Sequence, residues 1–150
     1  MAGITQNEGS TLSEAYIGRP ENMTVQGYNK LLAHLNAKNY PVDVDSVTNF
    51  YLRGVNRSNS TALRWAFYDL FGDLCINCPT YLFAKQMAKQ MGGKHNVYFY
   101  ELTYQMPEIA QLGRLEGKGI VHGMDVPFVF GIPFLHPEFA TPVDEVTGQS

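Results

Sequence analysis

A chain of 150 residues, 45% apolar and 17% charged, is long enough for one domain with a sizeable core and has the composition of neither a disordered nor a membrane protein. Its formal net charge of −3 and isoelectric point near 5.7 exclude recruitment to nucleic acid or to an anionic membrane by bulk electrostatics. No apolar run approaches the ~18 residues that span a bilayer, and no basic segment leads into an apolar one at the N-terminus, so a signal peptide is not visible there.

Met1-Ala2-Gly3-Ile4 reads as the end of a buried strand over residues 2–5, and Met1 as an internal methionine of a longer protein. Thr5 to Thr11 is a polar, glycine-bearing loop. After Pro20 a helix is expected over 24–35, with Tyr28, Leu31, Leu32 and Leu35 on one stripe, broken by Asn36 to Pro41. A short helix follows over 45–53, using Val47, Phe50 and Tyr51. Ser58-Asn59-Ser60 offers caps to a helix whose stripe is Leu63, Ala66, Phe67 and Leu70, with Gly72 interrupting it. A longer helix over 74–91 would bury Leu74, Cys78, Tyr81, Ala84 and Ala88. Pro79 suits its first turn, and Gly92-Gly93 ends it. Val97 to Thr103 is rich in strand formers and too apolar for a one-sided surface strand, so it reads as a buried strand of a parallel sheet. Tyr104 to Gly119 looks irregular, and the tail, with Pro127, Pro133, Pro137 and Pro142, is turn-rich. Strand, long helical excursion, strand, loop is a piece of an α/β protein, with too few strands for a sheet of its own.

Cys75-Ile-Asn-Cys78 has the spacing of a redox pair but lacks the strand–loop–helix context, and a zinc ribbon would need a second pair. Cys75 is read as a buried apolar side chain. The sequons at Asn22, Asn56 and Asn59 permit N-glycosylation if the chain enters the secretory pathway.

Two segments carry chemistry. Gly3-Ile4-Thr5-Gln6-Asn7-Glu8-Gly9-Ser10 follows one strand, and Gly119-Ile120-Val121-His122-Gly123-Met124-Asp125 to Gly131 is a loop after the next. Loops beyond the carboxyl ends of strands collect catalytic groups in open α/β sheets. An acid followed by a histidine matches the last two places of the order Ser, Asp/Glu, His in hydrolases of that architecture. Taken singly, Glu8 reads equally as a solvated loop carboxylate and His122 as a surface histidine.

Gly-Ile-Thr-Gln-Asn-Glu-Gly-Ser resembles the Gly-x-x-x-Asp-Glu-Gly-Ser/Thr segment of cholinesterases and type-B carboxylesterases, with Asn7 in place of the Asp. Asp69 to Leu74 with Cys78-Pro79 resembles the family's helix around a half-disulfide. Val97-Tyr98-Phe99-Tyr100 is similar to its penultimate strand, and His122-Gly123, Asp125 and Phe128-Val129-Phe130-Gly131 to its histidine loop. The match runs in order along nearly the whole chain.

The resemblance implies the C-terminal portion of an α/β-hydrolase fold, with an incomplete sheet and a helical insertion between two late strands, so that 1–150 is a partial domain. It implies a serine-dependent carboxylic ester hydrolase without cofactor or metal, acting on a small-molecule ester, with Glu8 as the triad acid, His122 as the base and Asp125 in support. It implies secretion as well, with a signal peptide upstream of Met1, and leaves oligomeric state and any membrane anchor undefined. No Gly-x-Ser-x-Gly elbow or glycine-rich oxyanion loop occurs in these residues, so the nucleophile is expected upstream, and residues 1–150 alone are expected to be inactive and poorly soluble. Cys78 matches a cysteine whose family partner would lie beyond Ser150, and is expected unpaired here. Cholinesterases carry an aromatic residue directly after His-Gly where this chain has Met124, and the one tryptophan, Trp65, lies in a helical stripe, which leans away from acetylcholine. The rival reading is a catalytically inactive, cholinesterase-like adhesion or hormone-precursor relative. A free-standing small binding module would need a core closed within these residues.

Overall fold

The computed structural model describes residues 1–19, 21–37 and 41–139. Strand β1 (Ala2–Thr5) pairs in parallel with β2 (Phe99–Leu102), Ala2 opposite Phe99 and Thr5 opposite Leu102. Parallel strands require a crossover. Here it holds α1 (Gly9–Ile17), α2 (Val25–Ala37), α3 (Val44–Tyr51), α4 (Ser60–Gly72) and α5 (Cys78–Met91). Beyond β2 come α6 (Pro107–Leu112), the single turns α7 (Val126–Val129) and α8 (Ile132–Leu135), and a 3-10 turn at Pro137–Phe139.

The core lies inside the crossover. Tyr28, Leu32 and Leu35 of α2 meet Leu63, Ala66, Phe67, Leu70 and Phe71 of α4, closed by Met23 and Leu52. Each fully buried leucine contributes about 2 kcal/mol of apolar transfer. Asn59 caps α4 by accepting the Ala62 N–H at 3.0 Å, and Asp43 caps α3 through the N–H groups of Asp45 and Ser46. A smaller cluster of Ile120, Val121 and Met124 packs with Leu102, Ile109 and Leu115.

Several sequence expectations are corrected. Gly72 does not interrupt α4: the chain stays helical through a π-helical stretch, Asp73–Asn77, into α5. Pro79 in the first turn of α5 accounts for the widened turn. It has no N–H to donate, and its ring would press on the carbonyl four residues back in a regular α-helix. Asp73 braces the stretch, accepting the Tyr51 hydroxyl at 2.6 Å and the Asn77 amide at 2.8 Å. Of the stripe expected on 74–91 only Ala84 is buried, and Phe50 of α3 faces outward. The loop expected from Thr5 to Thr11 gives way to helix at Gly9, and Tyr104 to Gly119 contains α6. Neither strand is buried on both faces, since two strands leave Tyr98 and Phe99 exposed and β1 half covered. The expected break across Asn36 to Pro41 and the turn at Pro142 lie partly or wholly outside the described residues.

Candidate active site

Glu8 occupies the single turn between β1 and α1, directly after the strand, and its side chain is 4% exposed. A carboxylate so deeply placed needs partners for its oxygens. Oε1 accepts the backbone N–H of Thr5 at 2.6 Å, and Oε2 lies 2.6 Å from Nδ1 of His122, 114 residues away in sequence. His122 is 46% exposed, so the ring has one edge on the buried carboxylate and the other toward solvent. With Nδ1 donating to Glu8, the neutral imidazole carries its lone pair on Nε2. Such a pair can take a proton at Nε2 while Glu8 stabilises the imidazolium that forms.

The backbone brings these side chains together through Asn7. Its N–H donates to the Ile120 carbonyl at 2.9 Å and its Oδ1 accepts the Ile120 N–H at 2.9 Å, aligning Asn7 with Val121 as a short parallel bridge. Glu8 and His122 are the next residue on each side. Gly119 is required beside this staple: its φ is +72°, and a Cβ there would lie 2.1 Å from Asn7 Oδ1. Gln105 donates from Nε2 to the Gly119 carbonyl at 2.7 Å. Asn7→Leu is expected to orphan the Ile120 N–H and to cost about 1–3 kcal/mol of stability, whereas Asn7→Asp keeps the acceptor and should cost far less. Urea unfolding of the two variants side by side checks this, and equal losses would remove the staple from the account.

Asp125, expected in support of His122, has its carboxylate engaged by Tyr100, whose hydroxyl it accepts at 2.5 Å. That bond, then burial and the charges of Asp125 and Glu8, push the Tyr100 phenol up to about 12, so it is a stable donor at neutral pH. Met124 is buried in the small cluster with Ile120 and Val121, and Trp65 packs edge-on against Tyr68 with ring centroids 5.5 Å apart. Ser10 and Ser13 are fully buried on α1, with hydroxyls bonded to the carbonyls of Asn7 and Ser10. No disulfide joins Cys75 and Cys78. Burial and then Asp73 raise the Cys78 thiol, the opposite of the depressed value a redox cysteine needs, and Cys75 packs against the main core. Asn22, Asn56 and Asn59 are all exposed.

Sequence reasoning missed Asn7, Gln105 and the Tyr100–Asp125 bond. It also missed a cluster of Glu14, Lys118 and Tyr68. Beside Glu8 opens a polar cleft of about 210 Å³, lined among others by Gln6, Asn7, Asp69, Asp73 and Asn77. Burial, then the nearby charge of Asp73, raises the Asp69 carboxyl above its ordinary value.

With this geometry in place, the sequence model of the Carboxylesterase family matches residues 1–149. The chain belongs to that family. Carboxylesterases have the α/β-hydrolase fold, and the parallel pair β1–β2 with its helical crossover is consistent with part of it. Among curated relatives, an acetylcholinesterase-1 of Trittame loki is 29% identical over 146 residues, covering 92% of this chain and 25% of that protein. A cholinesterase of Mus musculus is 27% identical over 106 residues, covering 71% of this chain and 17% of the relative. The chain thus spans a quarter or less of the relatives it matches. Among the described residues no helix is long and apolar enough to cross a membrane.

Proposed function

We propose that residues 1–150 are a partial carboxylesterase domain carrying the acid and base of a serine esterase. The carrying observation is the contact of His122 Nδ1 with the buried Glu8 carboxylate at 2.6 Å. In this reading a serine from the rest of the protein attacks a small-molecule ester carbonyl. His122 Nε2 takes the serine proton and returns it to the leaving alcohol, while Glu8 holds the ring with its proton on Nδ1. The acyl-enzyme is then hydrolysed by water activated at the same nitrogen. No cofactor or metal enters. Asp125 supports from a distance, acting through Tyr100 and the shape of the loop.

General carboxylic esters suit this site better than acetylcholine. Met124, in the place after His-Gly, is buried, and the exposed side of His122 lacks a tryptophan from this chain. The whole protein is secreted in this reading, with sugars on exposed Asn22, Asn56 or Asn59 and with Cys78 paired to a cysteine outside these residues. Residues 1–150 alone are inactive, because the nucleophile and oxyanion hole lie elsewhere.

The test is hydrolysis of phenyl acetate by the purified full-length protein, together with covalent labelling by a fluorophosphonate. Turnover with label on a single serine outside residues 1–150 is the expected result. Neither turnover nor label would sink the reading and leave Glu8 and His122 as idle remnants in a binding protein.

A further inference from the structure

A second tie joins the two chain segments that bear Glu8 and His122, and it does not involve either residue. Glu14 lies in the second turn of α1, the helix that begins directly after Glu8. Its Oε2 carries the ammonium of Lys118, and its Oε1 accepts the hydroxyl of Tyr68 from α4, with Arg19 Nε at 3.9 Å on the outer side. The Lys118 and Glu14 side chains are only 13% and 17% exposed, and Lys118 Nζ lies 5.8 Å from the centre of the Tyr68 ring. Burial raises the Glu14 carboxyl, but Lys118 and Tyr68, with Arg19, outweigh it and hold the group below its ordinary value. The carboxylate is therefore charged at neutral pH, as the cation beside it requires.

Lys118 sits four residues before His122 and immediately before Gly119, the residue fitted against Asn7. We propose that the Glu14–Lys118 pair, oriented by Tyr68, is a clamp that sets the His122 loop in register with α1, making Glu14 and Lys118 positioning residues for the Glu8–His122 pair. The inference rests on the esterase reading above and names what holds its acid and base together. Net stability is a poor reason for such a pair, because two apolar side chains would fill the same space at no greater cost. Direction is a better one. The Tyr68 hydroxyl bond fixes the Glu14 carboxylate, and the carboxylate draws the Lys118 ammonium to one side of the loop. A displacement of about 1 Å at a catalytic group costs up to about 100-fold in rate.

The experiment uses the full-length protein and Lys118→Met, which keeps length and loses charge. Expected is a fall in kcat of about tenfold with KM within a factor of about two, since substrate contacts are untouched. Lys118→Arg should recover most of the loss. The low-field proton resonance of His122 Nδ1–H, shared with Glu8, should broaden or shift in Lys118→Met and return in Lys118→Arg. If Lys118→Met does not fold, Tyr68→Phe removes only the bond that orients Glu14 and should move both readouts in the same direction by less. Unchanged kcat and resonance in the folded variant, or no recovery with arginine, would overturn the clamp. A wild-type protein that hydrolyses no ester fails the esterase reading instead, and the resonance still decides the clamp.

Discussion

Glu8→Gln in the full-length protein is expected to lower kcat by about four orders of magnitude, with little change in KM. The reason lies in the two bonds the carboxylate makes. Oε1 accepts from the Thr5 N–H and Oε2 from His122 Nδ1, so the site needs two acceptors. An amide offers one acceptor and one donor group. If its oxygen stays on Thr5, the NH2 faces Nδ1, which must then give up its proton, and the histidine is locked in the tautomer with no lone pair on Nε2. If it flips, two donors face each other at Thr5 in a buried place, which costs about 1–3 kcal/mol. The first arrangement removes the base. The second keeps the tautomer but strains the Thr5 contact and leaves the imidazolium without a charged partner, so the amide favours the inactive arrangement at nearly isosteric volume. His122→Ala should cost at least as much, and the double variant no more than His122→Ala alone, because acid and base act as one unit. The measurement is kcat for phenyl acetate at saturating substrate, with thermal unfolding as the control for folding. A Glu8→Gln protein that turns over like the wild type would remove Glu8 from the mechanism.

Part of this site can be read from the sequence, and the part that cannot has a physical explanation. Glu8 and His122 are visible because each follows a strand in a distinctive short motif. The cores of α2 and α4 are visible because their apolar residues recur at helical spacing, and the caps at Asn59 and Gly92 because they use the residues those positions favour. Helix α1 is hidden for the opposite reason. Its buried face is Gly9, Ser10 and Ser13, small and polar residues that carry no hydrophobic periodicity, because the helix packs backbone against backbone. Gly72 looks like a helix breaker and is a packing residue on the other side of the same contact. The strand at Phe99 to Leu102 has the composition of a doubly covered strand but stands exposed. Under the partial-domain proposal, such a composition is accounted for by neighbours outside these residues. Asn7 and the Glu14–Lys118 pair are invisible because each is defined by a partner far along the chain, and no local pattern marks either member.

The close approach of α1 and α4 leads to the second large effect, at Gly9. A Cβ on Gly9 would lie 1.9 Å from the Tyr68 carbonyl oxygen and 2.5 Å from the Gly72 nitrogen, both backbone atoms that cannot rotate away. On Gly72 a Cβ would meet the Gly9 nitrogen at 2.8 Å and its Cα at 3.3 Å. Helix propensity favours alanine over glycine by about 1 kcal/mol in a helix interior and by less at a first helical residue such as Gly9, so propensity alone would have both substitutions stabilise. Overpacking costs about 1–3 kcal/mol where side chains can shift, and more where two helices must part. The steric term therefore wins at both positions and by more at Gly9. Gly9→Ala is expected to destabilise the full-length protein by about 3 kcal/mol and Gly72→Ala by about 1 kcal/mol, read from the urea midpoint at unchanged slope. Gly9 also follows Glu8 directly, so parting the helices draws the carboxylate away from His122. Gly9→Ala should for that reason lose kcat as well as stability under conditions where it remains folded. An alanine at Gly9 that left both quantities unchanged would mean that α1 does not rest on α4 in this way, and would take with it the explanation of how Glu8 is held.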